Sequence, residues 1–152
     1  MITVRRMEER DGRAAALIEA ENFSEPWTEQ AFLDTLRCGY AYYYVAEAPL
    51  REDGQVIGIC GLRNLAGEGE ITNVAVAGAF RRMGVAGMLL EKVLAEGERL
   101  GIRDFTLEVR SGNRAAIALY EKYGFRREGV RRDFYAKPKE DALIMWRRRE
   151  VP

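Results

Sequence analysis

The chain contains no histidine, an absence that removes Ser-His-Asp and Cys-His catalysis together with every zinc or iron site built on imidazole. Proton transfer must therefore run through Glu, Asp, Tyr, Lys, Cys or water, and no metal is expected. Cysteine is scarce too: Cys38 and Cys60 form no C-x-x-C pair and read as free thiols in or near the core of a protein in a reducing compartment. Net charge is missing as well. With 24 Lys and Arg against 24 Asp and Glu, no long-range field would hold the protein on a nucleic-acid backbone, and the run Arg147-Arg148-Arg149 reads as a solvated strand end. The opening Met-Ile-Thr-Val-Arg-Arg lacks the apolar core of a signal peptide, and no window approaches the ~18 apolar residues of a membrane span. A cytoplasmic monomer is expected, with neither nucleic acid nor membrane as a partner.

What is present is enough apolar residue, 47% of the 152 positions, to bury one real core, so residues 1–152 are read as a single domain. No repeat or low-complexity segment interrupts it. Residues 2–6 alternate like a short strand, and Asp11 is placed as the cap of an amphipathic helix running to Glu21. Thr28, just after Trp27, is placed as the cap of a second helix with Ala31, Phe32 and Leu36 on its apolar stripe. Residues 41–48 and 55–63 carry β-branched and aromatic side chains around a turn at Glu52-Asp53-Gly54 and predict an antiparallel hairpin. Residues 70–76 predict a third core strand, followed by a glycine-rich basic loop at 78–87 and a helix over 85–100 that Gly101 stops. A strand over 103–109, a short helix over 113–123 closed by Gly124, and strands over 125–132 and 142–148 complete the reading. The expected architecture is α+β, with helices on both faces of a mixed, mainly antiparallel sheet of about 6–7 strands.

The segment Arg81-Arg82-Met83-Gly84-Val85-Ala86-Gly87 lies between a strand and a helix. Small residues there let the backbone approach a ligand, and the first amides of a helix offer unpaired donors to a pyrophosphate. The loop lacks the Gly-Lys-Ser/Thr ending of a P-loop, and its glycine spacing does not fit the dinucleotide fingerprint.

Following residues 71–76, this R-R-x-G-x-A/G loop resembles the coenzyme A pyrophosphate loop of the GNAT acetyltransferase superfamily. The blocks Leu107-Glu108-Val109-Arg110-Ser111-Gly112-Asn113-Arg114-Ala115-Ala116-Ile117-Ala118-Leu119-Tyr120-Glu121, Gly124-Phe125, Arg131-Arg132-Asp133-Phe134-Tyr135 and Glu140-Asp141-Ala142-Leu143-Ile144-Met145 are similar to the bacterial ribosomal-protein alanine N-acetyltransferases. The resemblance spans roughly residues 20–146 and implies a GNAT-like three-layer α/β/α fold. It also implies acetyl-CoA as co-substrate and the N-terminal amine of a protein, an alanine of a ribosomal protein, as acceptor.

It further implies roles for particular residues. The pantetheine would lie along the backbone of Val74, Ala75 and Val76, where the strand splays from its neighbour and a free amide could also stabilise an oxyanion. The diphosphate would sit on amides of Arg82, Met83, Gly84, Val85, Ala86 and Gly87, with Asn113 approaching from the next helix. An α-amine of pKa ~7.7–8.0 is mostly protonated at neutral pH, so a base is needed, and the resemblance gives that role to Glu108. Tyr120 would reprotonate the departing sulfur. Glu70 could substitute for Glu108 or act beside it through a water, Trp27 would flank the acceptor entrance, and Tyr135 would line the peptide groove. Asp133 and Phe134 stand where the family usually has Asn and Tyr, which bears on the identity of the acceptor. Two readings stay open beside this one: transfer to another amine, whether a different protein N-terminus or a small molecule, and a non-catalytic acyl-CoA-binding sensor.

Overall fold

The computed structural model describes residues 1–50, 52 and 54–149. Along the chain it forms β1 (Thr3–Arg6), α1 (Gly12–Asn22), α2 (Glu29–Leu36), β2 (Ala41–Ala48), β3 (Gln55–Leu65), β4 (Glu68–Val76), α3 (Val85–Arg99), β5 (Asp104–Arg110), α4 (Arg114–Lys122), β6 (Arg126–Ala136) and β7 (Lys139–Arg147). The strands make one seven-stranded sheet in the order β1-β2-β3-β4-β5-β7-β6. Every neighbouring pair is antiparallel except β4 and β5, which are parallel because α3 carries the chain back across the sheet between them. The expected mixed, mainly antiparallel sheet is thus observed.

Strand alternation sends successive side chains of β2 to opposite faces, and both faces are covered. Tyr43 and Val45 pack with Ala15 and Ile18 of α1 and Phe32 of α2. Tyr44 and Ala46 face the larger cluster with Leu89, Leu90 and Val93 of α3 and Ile117 and Tyr120 of α4. Three layers result: two helices, the sheet, two helices.

The local punctuation is largely as expected. Ala31 N–H donates to Thr28 Oγ1 at 3.1 Å, and Gly101 and Gly124 take the left-handed conformation (φ 89° and 94°) that ends a helix. Asp53, from the expected hairpin turn, lies outside the described residues.

Two expectations are corrected. Asp11 does not cap α1 through its side chain: its backbone is already helical (φ −88°, ψ −10°), and its carboxylate turns back to accept Glu8 N–H and the Arg5 guanidinium at 2.8–2.9 Å. The β6–β7 hairpin is also longer than its alternation suggested. Residues 132–134 bulge out between the pairs Arg131↔Ala142 and Tyr135↔Glu140, with Asp133 at φ 52° and its N–H held by Asp141 Oδ1 at 2.8 Å. The bulge breaks the period-two pattern by which a strand is recognised.

Phe105 at the sheet centre is fully buried and fits only because it meets glycine on two sides. An added Cβ would come within 2.7 Å of its ring at Gly69 and 2.6 Å at Gly97. Replacement Gly97→Val is expected to cost about 1–3 kcal/mol by overpacking, lowering Tm by roughly 2–4 °C per kcal/mol. Gly39, where an added Cβ meets nothing within 4 Å, serves as the control: by differential scanning calorimetry Gly39→Ala should leave Tm nearly unchanged.

Candidate active site

β4 and β5 are neighbours over only three pairs, Glu68↔Asp104, Gly69↔Phe105 and Glu70↔Thr106. Beyond them β4 stays with β3 as far as Val76 and β5 stays with β7 as far as Arg110, so the two strands part and leave facing backbone edges. The divergence begins beside a bulge. The β3–β4 register jumps between Ile59 and Gly61, and Asn73 sits at φ 47° in the left-handed region, where its short polar side chain is tolerated.

Antiparallel alternation then decides which amides face the gap. Ala77 N–H donates to Ile57 O at 2.8 Å, and Ala75 pairs with Ile59 in the same register, so the Ala75 amide is turned toward β3. Val74 and Val76 point the other way, into the gap. Along the backbone expected to meet the pantetheine, Val74 and Val76 are therefore the residues whose amides are turned to the gap.

At the head of the gap, α3 begins after Gly84, which holds φ 79°, and Arg82 is also left-handed at φ 65°. The first helical donor is Met88, whose N–H reaches Gly84 O at 3.1 Å. The amides of Arg82, Met83, Gly84, Val85, Ala86 and Gly87 have no acceptor among the described residues. Orphan donors at the positive end of a 15-residue helix make an anion cradle, and a Cβ built on Gly84 meets nothing within 4 Å. Gly87 has a second reason to be small, since its Cβ would lie 3.0 Å from the hydroxyl of Tyr123, the residue that follows α4. Asn113 caps α4 by accepting Ala116 N–H at 3.1 Å, which leaves its Nδ2 uncommitted among the described residues.

At the other mouth of the gap lies a groove of about 530 Å³, floored by residues 70–73 and 106–108 and walled by residues 23–25 with Trp27 on one side and 134–136 on the other. It gathers Trp27, Glu70, Glu108 and Tyr135. Trp27 also packs into the core, 5.3 Å from Phe32 and 5.8 Å from Tyr43 between ring centroids. Glu70 is held by Arg63 at 3.1 Å. Glu108 lies 3.4 Å from Arg131 Nε through Oε1, while its Oε2 is buried without a partner. Burial raises the Tyr135 phenol above its ordinary pKa. Tyr120 is not in the lining: it lies on α4 against Phe125 at 6.0 Å, only 7% exposed, and its hydroxyl has no partner among the described residues. Burial likewise raises its pKa.

Residues 13–125 match the acetyltransferase (GNAT) family. The chain belongs to this family. The [ribosomal protein bS18]-alanine N-acetyltransferase of Escherichia coli (strain K12) is 33% identical over 147 residues, covering 95% of this chain and 96% of the relative. The N-alpha-acetyltransferase RimI of Mycobacterium tuberculosis is 32% identical over 152 residues, covering 96% and 92%. The crystal structure of the Escherichia coli ribosomal-protein-S18-alanine N-acetyltransferase superposes with a TM-score of 0.87 at 30% identity, covering 100% of this chain and 96% of that one.

In this acetyltransferase a larger hollow of about 870 Å³ lies away from the gap, lined by residues that include Glu98, Arg126, Glu128 and residues 146–149. Arg147 is paired with Glu98 at 2.9 Å and Arg148 with Glu128 at 2.7 Å, so the strand end that reads as solvated in the sequence is also ion-paired. None of the residues singled out for chemistry lines it. No helix among the described residues is long and apolar enough to cross a membrane, and no cluster of three potential metal ligands occurs among them.

Two residues of the GNAT site carried no weight in the sequence. Arg110 ends the run of residues 107–110 with nothing in its spacing to mark it. Glu19 looked like any polar residue of an amphipathic helix, yet it is 2% exposed. Its Oε1 accepts Asn73 Nδ2–H at 3.0 Å and Trp27 N–H at 3.3 Å, tying the bulge to the α1–α2 segment, while Oε2 has no partner. Its pKa is raised, chiefly by desolvation on burial, against the pull of those two hydrogen bonds. A carboxyl with a raised folded pKa stabilises the fold fully below its unfolded pKa, and that contribution is lost as pH climbs through the folded value. Glu19→Gln keeps an acceptor for both donors without the charge. Its Tm relative to the unmodified protein should therefore rise as pH increases above the ordinary carboxylate range, measured by thermal denaturation as a function of pH; a constant difference would contradict the assignment.

Proposed function

We propose that this enzyme transfers the acetyl group of acetyl-CoA to the α-amine at a protein N-terminus, an N-terminal alanine of a ribosomal protein being the acceptor its relatives act on. The reaction would then take place in the cytoplasm. The observation that carries the reading is Glu108, held on β5 in the groove at the mouth of the gap with one oxygen uncommitted.

The residues present fit the co-substrate. Amides of Arg82 to Gly87 suit a diphosphate, Asn113 can reach toward it through Nδ2, and the Val74 and Val76 amides suit the pantetheine, while acetyl-CoA supplies an acyl carbon activated by a good thiolate leaving group. Trp27 and Tyr135 flank the acceptor, and Glu70 lies beside Glu108 on the groove floor. Glu108 Oε2 takes the proton of the incoming ammonium, because an α-amine of pKa ~7.7–8.0 must lose it before it can react. Tyr120 gives its hydroxyl proton to the leaving sulfur. Burial favours the neutral phenol, which keeps Tyr120 a hydrogen-bond donor to the sulfur as negative charge develops there.

Peptides beginning in free alanine, beginning in another residue, or blocked at the N-terminus with internal lysines test the acceptor. With acetyl-CoA, mass spectrometry should locate the acetyl group on the alanine α-amine; labelling of lysines alone would overturn the N-terminal assignment, and release of no free thiol would indicate a sensor. Glu108→Gln should lower kcat by about 10²-fold near neutral pH, with the deficit shrinking as pH rises past the amine pKa of ~8. The KM for acetyl-CoA should stay unchanged; a pH-independent deficit, or none, would remove Glu108 from the base role.

A further inference from the structure

The walls of the groove belong to segments far apart in the chain, and one guanidinium touches both. Arg110, the last residue of β5, donates through Nη2 to Ser24 Oγ at 3.3 Å, in the segment between α1 and α2. The same nitrogen donates to Lys137 O at 3.0 Å. Nη1 donates to Pro138 O at 2.9 Å and to Glu140 Oε1 at 3.2 Å in the β6–β7 hairpin. The guanidinium also lies over the Tyr135 ring, 4.2 Å from its centroid. Both walls thus hang from a planar fork that is itself fixed to the strand bearing Glu108.

We propose that Arg110 is a positioning residue that sets the spacing of the two groove walls and thereby the binding of the acceptor. The inference rests on the reading of this groove as the acceptor site. Arginine suits the task where lysine would not: its donors leave a rigid plane in fixed directions and the plane stacks on an aromatic face, whereas an ammonium is a single point on a flexible stem. The cradle at the start of α3 makes no contact with it. The turn that leads into α4 keeps a bond of its own, because Gly112 N–H donates at 2.7 Å to Glu140 Oε2, the oxygen that Arg110 does not bond. Loss of the fork should therefore loosen the acceptor walls and leave the acetyl-CoA side intact.

The test measures initial rates with acetyl-CoA and an alanine-starting peptide, varying each in turn, for the unmodified protein, Arg110→Lys, Arg110→Met and Ser24→Ala. In both Arg110 variants the acceptor KM is expected to rise at least about tenfold, since small misplacements in a positioned site carry large kinetic costs. The acetyl-CoA KM should stay within about twofold. Ser24→Ala, which releases one wall only, should raise the acceptor KM by a smaller factor while Tm holds. Arg110→Lys keeps the charge and most of the volume, so it and Ser24→Ala decide the matter if Arg110→Met does not fold. An acceptor KM unchanged in Arg110→Lys, or a parallel rise of both KM values, overturns the inference. Absence of turnover by the unmodified protein would instead overturn the acceptor reading.

Discussion

The parting of β4 and β5 is the constraint on which the rest of this acetyltransferase depends. Two parallel strands at the centre of a sheet normally satisfy one another's backbone along their whole length, and unpaired backbone groups in such a place are costly. Here the ladder stops after Glu70↔Thr106, and the unpaired edges open a stretch of the sheet interior to an extended ligand. The bulge at Asn73 accompanies the parting. Its left-handed backbone (φ 47°) is held by side-chain bonds from Asn73 to Glu19 at 3.0 Å and from the Tyr43 hydroxyl to Asn73 at 2.8 Å, so the irregularity is built in rather than incidental.

Around that gap the two faces of the sheet divide the work. The α3 side supplies a helix start whose orphan amides suit an anion, and the α1–α2 side supplies the wall of the groove on which an acceptor would lie. The pieces are coupled by polar contacts, several of them part-buried, as well as by apolar packing. Glu19 joins Trp27 to the bulge, and Asn22 at the end of α1 donates to Val76 O at 3.1 Å while its own Oδ1 receives Arg81 at 2.9 Å. A polar network of this kind favours one geometry because each member left unsatisfied in a low-dielectric setting is penalised. The proposed mechanism calls for such definition, since the groups it would use are an ordinary carboxylate, a phenol and amides.

Much of this organisation was legible in the residues. The Thr28 cap, the stops at Gly101 and Gly124, the alternation of the middle strands and the glycine-rich turn before α3 each have a local cause, so local sequence reports them. The errors fell where a side chain had a choice. Asp11 could cap the helix ahead of it or bind Arg5 behind it, and Arg5, already fixed on β1 and bonded to Glu47 at 2.9 Å, decided the matter. The hairpin of β6 and β7 was read short because the bulge at 132–134 interrupts its period.

The sequence by itself determined the fold class through periodicity and turn chemistry, which are properties of contiguous residues, and its resemblance to the GNAT acetyltransferases pointed to the family and to the segments of the candidate site. The tertiary structure alone decided that the Ala75 amide is spent on β3, that Glu19 is buried against Asn73, and that Arg110 spans two loops separated by more than a hundred residues of chain. Each of those facts depends on strand register or on contact between distant segments, and neither is encoded in any short stretch of the chain.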